Sequence, residues 1–240
     1  MSLISPSLHF AKYELTSPGS LPITQTLPLA DALRKHLLWR EGEYNSGELS
    51  TIFSGKNDDG KNQVDHAHAF ILPIDSNRNG FLDQVLIYSR LPFHIPALVA
   101  LERIQEERYF RTTSLDLMEI SSQIPRAFQK KSRRWRSVTP LLSFRHYKKN
   151  AGTKEEWWEE EVDRFCRAQR LPTTVSVSLL STSLSANILW KEFALRRPSK
   201  PENQIPHYVG LEIEFKKPQS FPLCLGEYCH FGMGRFEPCE

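Results

Sequence analysis

Apolar and polar positions along the first half of the chain switch between a strand-like and a helix-like period. "SLHFAKYEL" (7–15) alternates loosely and predicts a strand. In "PLADALRKHLLWREG" (28–42), Leu29, Ala32, Leu33, Leu37 and Leu38 recur at helical spacing, and Gly42 suits the C-terminal end. Residues 43–65 are polar and rich in Gly, Asn and Asp, which predicts a loop. "HAHAFILPI" (66–74) and "FLDQVLIYS" (81–89) are apolar runs joined by the turn-forming "DSNRNG", a hairpin signature. "PFHIPALVALERIQEE" (92–107) predicts a second helix and "RTTSLDLMEI" (111–120) a further strand. The order β-α-β-β-α-β is that of a ferredoxin-like unit, which also underlies many RNA-binding domains.

The second half repeats the order less clearly. "SVTPLLSFRHY" (137–147) predicts a strand and "KEEWWEEEVDRFCRAQR" (154–170) a helix, with strands at "TTVSVSLLS" (173–181) and "YVGLEIEFKK" (208–217). "SFPLCLGEYCHFGMGRFEPC" (220–239) is turn-rich and carries Gly226, Gly232 and Gly234. The expectation is an α+β chain of two ferredoxin-like domains, 1–125 and 126–240, ending in a glycine-rich loop. No sequence repeat links the halves; the order of elements does.

Charge changes the picture more than composition. The 240 residues are 40% hydrophobic and 11% aromatic, enough for a core, and the net charge is only +3. Ile120 to Lys154 nevertheless holds ten Lys or Arg and no acid, and the acidic "EEWWEEEVD" follows. Lys130, Lys131, Arg133, Arg134, Arg136, Arg145, Lys148 and Lys149 are interleaved with Phe128, Trp135, Phe144 and Tyr147. Cations mixed with rings suit phosphates and unpaired bases, so nucleic acid is the expected partner. The four cysteines make no CxxC pair, so neither a zinc site nor a disulfide framework is expected. With no long apolar run and no signal-peptide pattern, a cytoplasmic protein without a membrane partner is the expectation.

"VDHAHAFILPIDSNRNGFLDQVLIY" (64–88) holds the candidate chemistry. Asp75, Asn77, Asn79 and Asp83 imitate a calcium loop. Its twelfth position is Leu86, where a bidentate carboxylate is needed, and its flanks read as strands. A polar hairpin turn explains the same residues. His66 and His68, two apart on a strand, would share a face. They fit a packed pair at a strand start, a metal pair whose third ligand is not placed, or acid–base groups near neutral pH. In the tail, glycines would let backbone N–H groups approach phosphates. His230 and Arg235 lie beside them. An irregular terminal connection is the alternative.

"HAHAFILPIDSNRNGFLDQVLIY", "WRSVTPLLSFRHYKK" and "GLEIEFKKPQSFPLCLGEYCHFGMGRFEP" together resemble the repeat-processing part of the type I-U (I-G) CRISPR-associated fusion subunit, in the RAMP superfamily. The resemblance spans roughly residues 27–238 and lacks the other half of the fusion. It implies a tandem ferredoxin-like fold. It also implies an endoribonuclease that cuts precursor CRISPR RNA in its repeats, without metal or cofactor. The 2′-hydroxyl would attack the adjacent phosphate, leaving a 2′,3′-cyclic phosphate. Implied partners are the repeat stem-loop, mature crRNA and other type I effector subunits. His66 and His68 match the subfamily motif, whereas the wider family commonly uses a histidine on or near the first helix, here His36. The basic block with Gly226, His230, Gly232, Gly234 and Arg235 would bind RNA. The competing reading is a non-catalytic RNA-binding subunit that caps the ribonucleoprotein. A metal-dependent nuclease using His66 and His68 is a third.

Overall fold

The computed structural model describes residues 7–47, 49–56, 61, 68–147, 152–199 and 203–239. The first half forms strand β1 (Phe10–Thr16), helix α1 (Thr26–Tyr44), the short helix α2 (Thr51–Ser54), the hairpin β2 (Phe70–Ile74) and β3 (Gln84–Tyr88), helix α3 (Ile95–Arg103) and strand β4 (Ser114–Ser121). The antiparallel sheet has the order β2-β3-β1-β4, the ferredoxin-like arrangement expected. Helix α1 runs past Gly42 to Tyr44, and α2 lies inside the expected loop. Helix α3 starts where the His94 Nδ1 accepts from Ala97 N at 3.2 Å, with Pro96 in the first turn. Strand β2 begins at Phe70, so the expected strand at His68 is a bend instead.

In the second half, strand β5 (Lys131–Ser137) occupies the basic block, which the apolar pattern did not announce. The expected strand over 137–147 shrinks to β6 (Leu141–Ser143). Helix α4 (Lys154–Ala168) opens with a capping box: Thr153 Oγ1 accepts from Glu156 N and Glu156 Oε2 from Thr153 N, at 3.2 and 2.7 Å. Strands β7 (Thr174–Leu180) and β8 (His207–Ser220) follow, then β9 (Leu223–Cys224) and β10 (Arg235–Pro238). Strand β8 lies between β5 and β7, and β10 pairs with β5. The order β7-β8-β5-β10 repeats that of the first sheet. The fold is therefore a tandem ferredoxin-like α+β chain. Where the second unit's second helix would stand, the glycine-rich segment runs instead. No described helix is long and apolar enough to cross a membrane.

Alternation along the strands sorts the core. Ala11, Tyr13, Leu15, Ile71, Val85 and Ile87 pack with α1 and α3, while Phe10, Phe70, Leu72, Ile74 and Leu86 join Trp135, Trp158, Leu211 and Ile213 of the second unit. The tail threads both cores. Phe231 and Met233 enter the first; Leu225, Cys229 and Phe236 enter the second. Its path requires Gly234: φ is +56°, and a Cβ there would lie 1.8 Å from Leu225 O. Gly226, at φ +89°, is held less closely, with Leu142 O 2.7 Å from the place of a Cβ.

Helix α4 carries a buried acid. Glu161 is fully buried and accepts from Ser143 Oγ at 2.6 Å, Arg145 Nη1 at 2.5 Å and Arg164 Nη2 at 2.7 Å. Burial pushes its carboxyl up, but the bonds from Arg164 and Ser143 and both nearby charges outweigh that and hold it below the usual range.

Gly234→Ala should cost about 2 kcal/mol or more in urea unfolding, because a left-handed Ala and the Leu225 carbonyl cannot both be accommodated. A depressed carboxylate stabilises the fold above its unfolded pKa, and that contribution is lost as pH falls through the folded value. Glu161→Gln should therefore lower stability at pH 7 by about 3 kcal/mol and flatten the loss of stability between about pH 5 and pH 3, read by thermal melts across that range.

Candidate active site

Helix α2 ends at Gly55 with φ +66°. That glycine leaves space for an imidazole: a Cβ would sit 3.3 Å from His68 Cδ2. Ala69 N donates to Ile52 O at 2.7 Å and ties the start of β2 to α2. From the other side the tail brings a short 3₁₀ turn, Cys229–Phe231, entered through Tyr228 in the left-handed conformation. His230 Nδ1 lies 3.2 Å from Ala69 O, a geometry that puts the proton on Nδ1 and makes Nε2 the basic nitrogen. The His230 ring stacks on His68 at 3.5 Å and on Phe70 at 3.9 Å between centroids.

The two imidazoles line a cavity of about 290 Å³ together with Arg34, Arg197, Glu227 and Tyr228. Arg34 comes from α1. Its Nε and Nη2 donate to Phe53 O at 2.9 Å and Ser54 O at 2.6 Å, so it satisfies the last carbonyls of α2. Arg197 comes from the irregular segment between β7 and β8. Its Nε donates to Asp31 Oδ1 at 2.8 Å, and Ser199 bonds both oxygens of the same carboxylate, from N at 2.8 Å and Oγ at 2.7 Å. Burial raises the Asp31 carboxyl, but the bonds from Ser199 and Arg197 bring it below the ordinary value, so it stays charged. Both guanidiniums lie by the Phe231 ring, Arg197 at 4.3 Å and Arg34 at 5.9 Å from its centroid. Burial also pushes the Glu227 carboxyl up, towards its uncharged form.

The structure brings only some of the expected residues together. His68 and His230 meet at this cavity. His36 lies two residues beyond Arg34, about 200° around the helix, and is turned away from the cavity. There it packs 5.1 Å from the Tyr109 ring and 3.9 Å from the Glu107 carboxylate, and burial lowers its pKa despite that charge. His66, Lys148 and Lys149 lie outside the described residues.

The basic block is not the one-signed surface that its sequence suggests. Strand β8 faces it with acids: Arg133 pairs with Glu214 at 3.3 Å, Arg134 with Glu212, and Arg136 lies 4.0 Å from Glu212. Arg145 is drawn to the buried Glu161. Lys130 and Lys131 stand at the entrance of β5, beside clefts that include Phe128 and Phe221. Arg235, expected to contact RNA, is fully buried and pairs with Glu237 at 2.8 Å. The glycine amides expected to meet phosphates are used internally, Gly232 N on Cys229 O at 3.2 Å and Gly234 N on Pro140 O at 2.8 Å. The glycines serve close packing.

The calcium-like turn also bonds to itself. The buried Asp75 accepts from Asn79 N at 3.2 Å, Gly80 N at 2.8 Å and Ser185 Oγ, and Asp83 accepts from Ser76 N at 2.9 Å. Among the described residues no cluster of three or more His, Cys, Asp or Glu is placed to hold a metal ion.

Sequence reasoning missed Arg34, Arg197 and Tyr228. Arg34 had one signal: with Asp31 it sits on the apolar stripe of α1, beside Leu33 and Leu37. Arg197 had none, because its position depends on a bond 166 residues away in sequence.

No family model and no curated sequence matches the chain. Solved structures are similar to it over nearly its whole length. One is described as "CRISPR associated protein Cas6", at 11% identity, covering 97% of this chain and 100% of that one, with a TM-score of 0.43. A second is "Csf5, CRISPR-Cas type IV Cas6 crRNA endonuclease", at 14% identity, 97% and 99% coverage and a TM-score of 0.44. A third, titled "Characterization of a Cas6-related gene from Pyrococcus furiosus", has 10% identity, 97% and 99% coverage and a TM-score of 0.48. These likenesses transfer no residue role to this chain.

Proposed function

We propose that the chain is a metal-independent endoribonuclease that cuts CRISPR repeat RNA by attack of a 2′-hydroxyl, with His68 and His230 as its acid–base pair. One observation carries this reading: two imidazoles stacked at 3.5 Å in a cavity also lined by two arginines. Two positive rings that close repel strongly, so single protonation of the pair is favoured over double. A pair holding one proton has what the reaction needs. The neutral ring takes the proton of the 2′-hydroxyl, and the charged ring gives one to the departing 5′-oxygen. The nucleophile belongs to the substrate, so positioning supplies much of the rate. The products are a 2′,3′-cyclic phosphate and a 5′-hydroxyl. The motif resemblance over residues 64–88 and the glycine-rich tail support repeat RNA as substrate, and retention of the product in a type I interference complex fits the same resemblance.

The test uses a labelled repeat hairpin in excess EDTA. Wild-type protein should cut it at one position. His68→Ala and His230→Ala should each slow single-turnover cleavage by about 10²-fold or more with little change in RNA affinity, and His36→Ala should leave it near wild type. Tight binding of an intact strand by the wild type would instead favour the capping-subunit reading. Loss of cutting only in His36→Ala would move the site to the other side of α1.

A further inference from the structure

The acid–base reading leaves one requirement open. A phosphorane intermediate carries extra negative charge, and the cations expected to meet it are the block on β5. Those arginines are engaged by Glu212 and Glu214. The cavity beside His68 and His230 has its own cations. Arg34 uses Nε and Nη2 on two backbone carbonyls, and among the described residues no carboxylate forms an ion pair with it. Its positive charge is thus oriented by carbonyls, with the Asp31 carboxylate near enough to act on it through space. Arg197 uses Nε on Asp31 and Nη2 on Ser199 Oγ, at 2.8 and 3.3 Å. On both, Nη1 is the nitrogen that no protein hydrogen bond occupies among the described residues. Both guanidiniums approach the Phe231 ring, and Arg197 is near enough to depress the Arg34 pKa further, after burial. The one carboxylate bonded to either guanidinium among the described residues is Asp31, and its two oxygens are already taken by Arg197 Nε and by Ser199 N and Oγ. The cavity therefore presents two planar donors held in place by protein partners.

We infer that Arg34 and Arg197 form a phosphate-binding fork that holds a phosphodiester beside His68 and His230. The inference rests on the proposed function for its substrate, RNA, but the fork itself is a statement about phosphate. Planar guanidiniums suit two oxygens of one phosphate better than ammonium groups do. Their partners fix them before the ligand arrives, so little side-chain entropy is lost on binding. Asp31 and Ser199 act as positioning residues because they hold Arg197 against α1.

Inorganic phosphate is the probe, titrated into the full chain by calorimetry without RNA. Wild-type protein should bind it, and Arg197→Gln should weaken binding roughly tenfold or more. Arg134→Gln, on the block, should bind like the wild type. Arg197→Lys keeps the charge and can keep the Asp31 pair, so it should fold normally and bind at an intermediate strength. It decides the matter if Arg197→Gln does not fold. A wild type that does not bind phosphate, or Arg197→Lys and Arg197→Gln variants that bind it like the wild type, would overturn the inference. Phosphate binding through the fork by a chain that leaves RNA uncut would keep the fork and remove the nuclease reading.

Discussion

The meeting of His230 with His68 depends on the close approach of the Gly234 backbone to the Leu225 carbonyl. The tail must turn there without a side chain, and the turn sends β10 back to pair with β5. The same turn points the preceding residues outward across the edge of the first sheet. Phe231 and Met233 enter the helix-covered core of that sheet, and His230 is carried on to His68. The edge strand β2 is thereby covered instead of left open to other chains. One packing constraint thus joins the two ferredoxin-like units and assembles the cavity between them.

That arrangement explains why the acid–base pair combines residues far apart in the chain. His68 is set by Gly55 and by the bond from Ala69 N to Ile52 O. His230 is set by the tail and by Ala69 O. The arginines are fixed from a third direction, through α2 carbonyls and Asp31. Each group is held by backbone or by buried partners, the condition for a preorganised site.

Much of the fold was legible because apolar runs and turn residues follow one another in the ferredoxin order. The first unit shows every element of the ferredoxin order in its apolar pattern, and the turn residues between 66–74 and 81–89 marked the β2–β3 hairpin. The second unit hid β5, because Arg133, Arg134 and Arg136 there are paired across to Glu214 and Glu212 and so read as a charge run. Of the site, His68 was legible as part of a motif and His230 as part of a glycine-rich tail, but not their contact. A contact across 162 positions leaves no local trace. The same holds for the acids of β8, which sit some 80 residues from the bases they offset. Arg235 differs: its partner Glu237 is only two residues on, but its burial is set by the packing of the second unit and not by its neighbours in sequence.

The central claim is that the substrate supplies its own nucleophile and the protein supplies the proton transfers. It is tested most directly by a repeat hairpin carrying a single 2′-deoxy nucleotide just before the scissile phosphate, incubated with the protein in EDTA. The account predicts that this strand is bound as tightly as the all-RNA hairpin and stays intact. Cleavage of the deoxy strand at the same position would contradict it, since the attacking oxygen would then have to come from elsewhere.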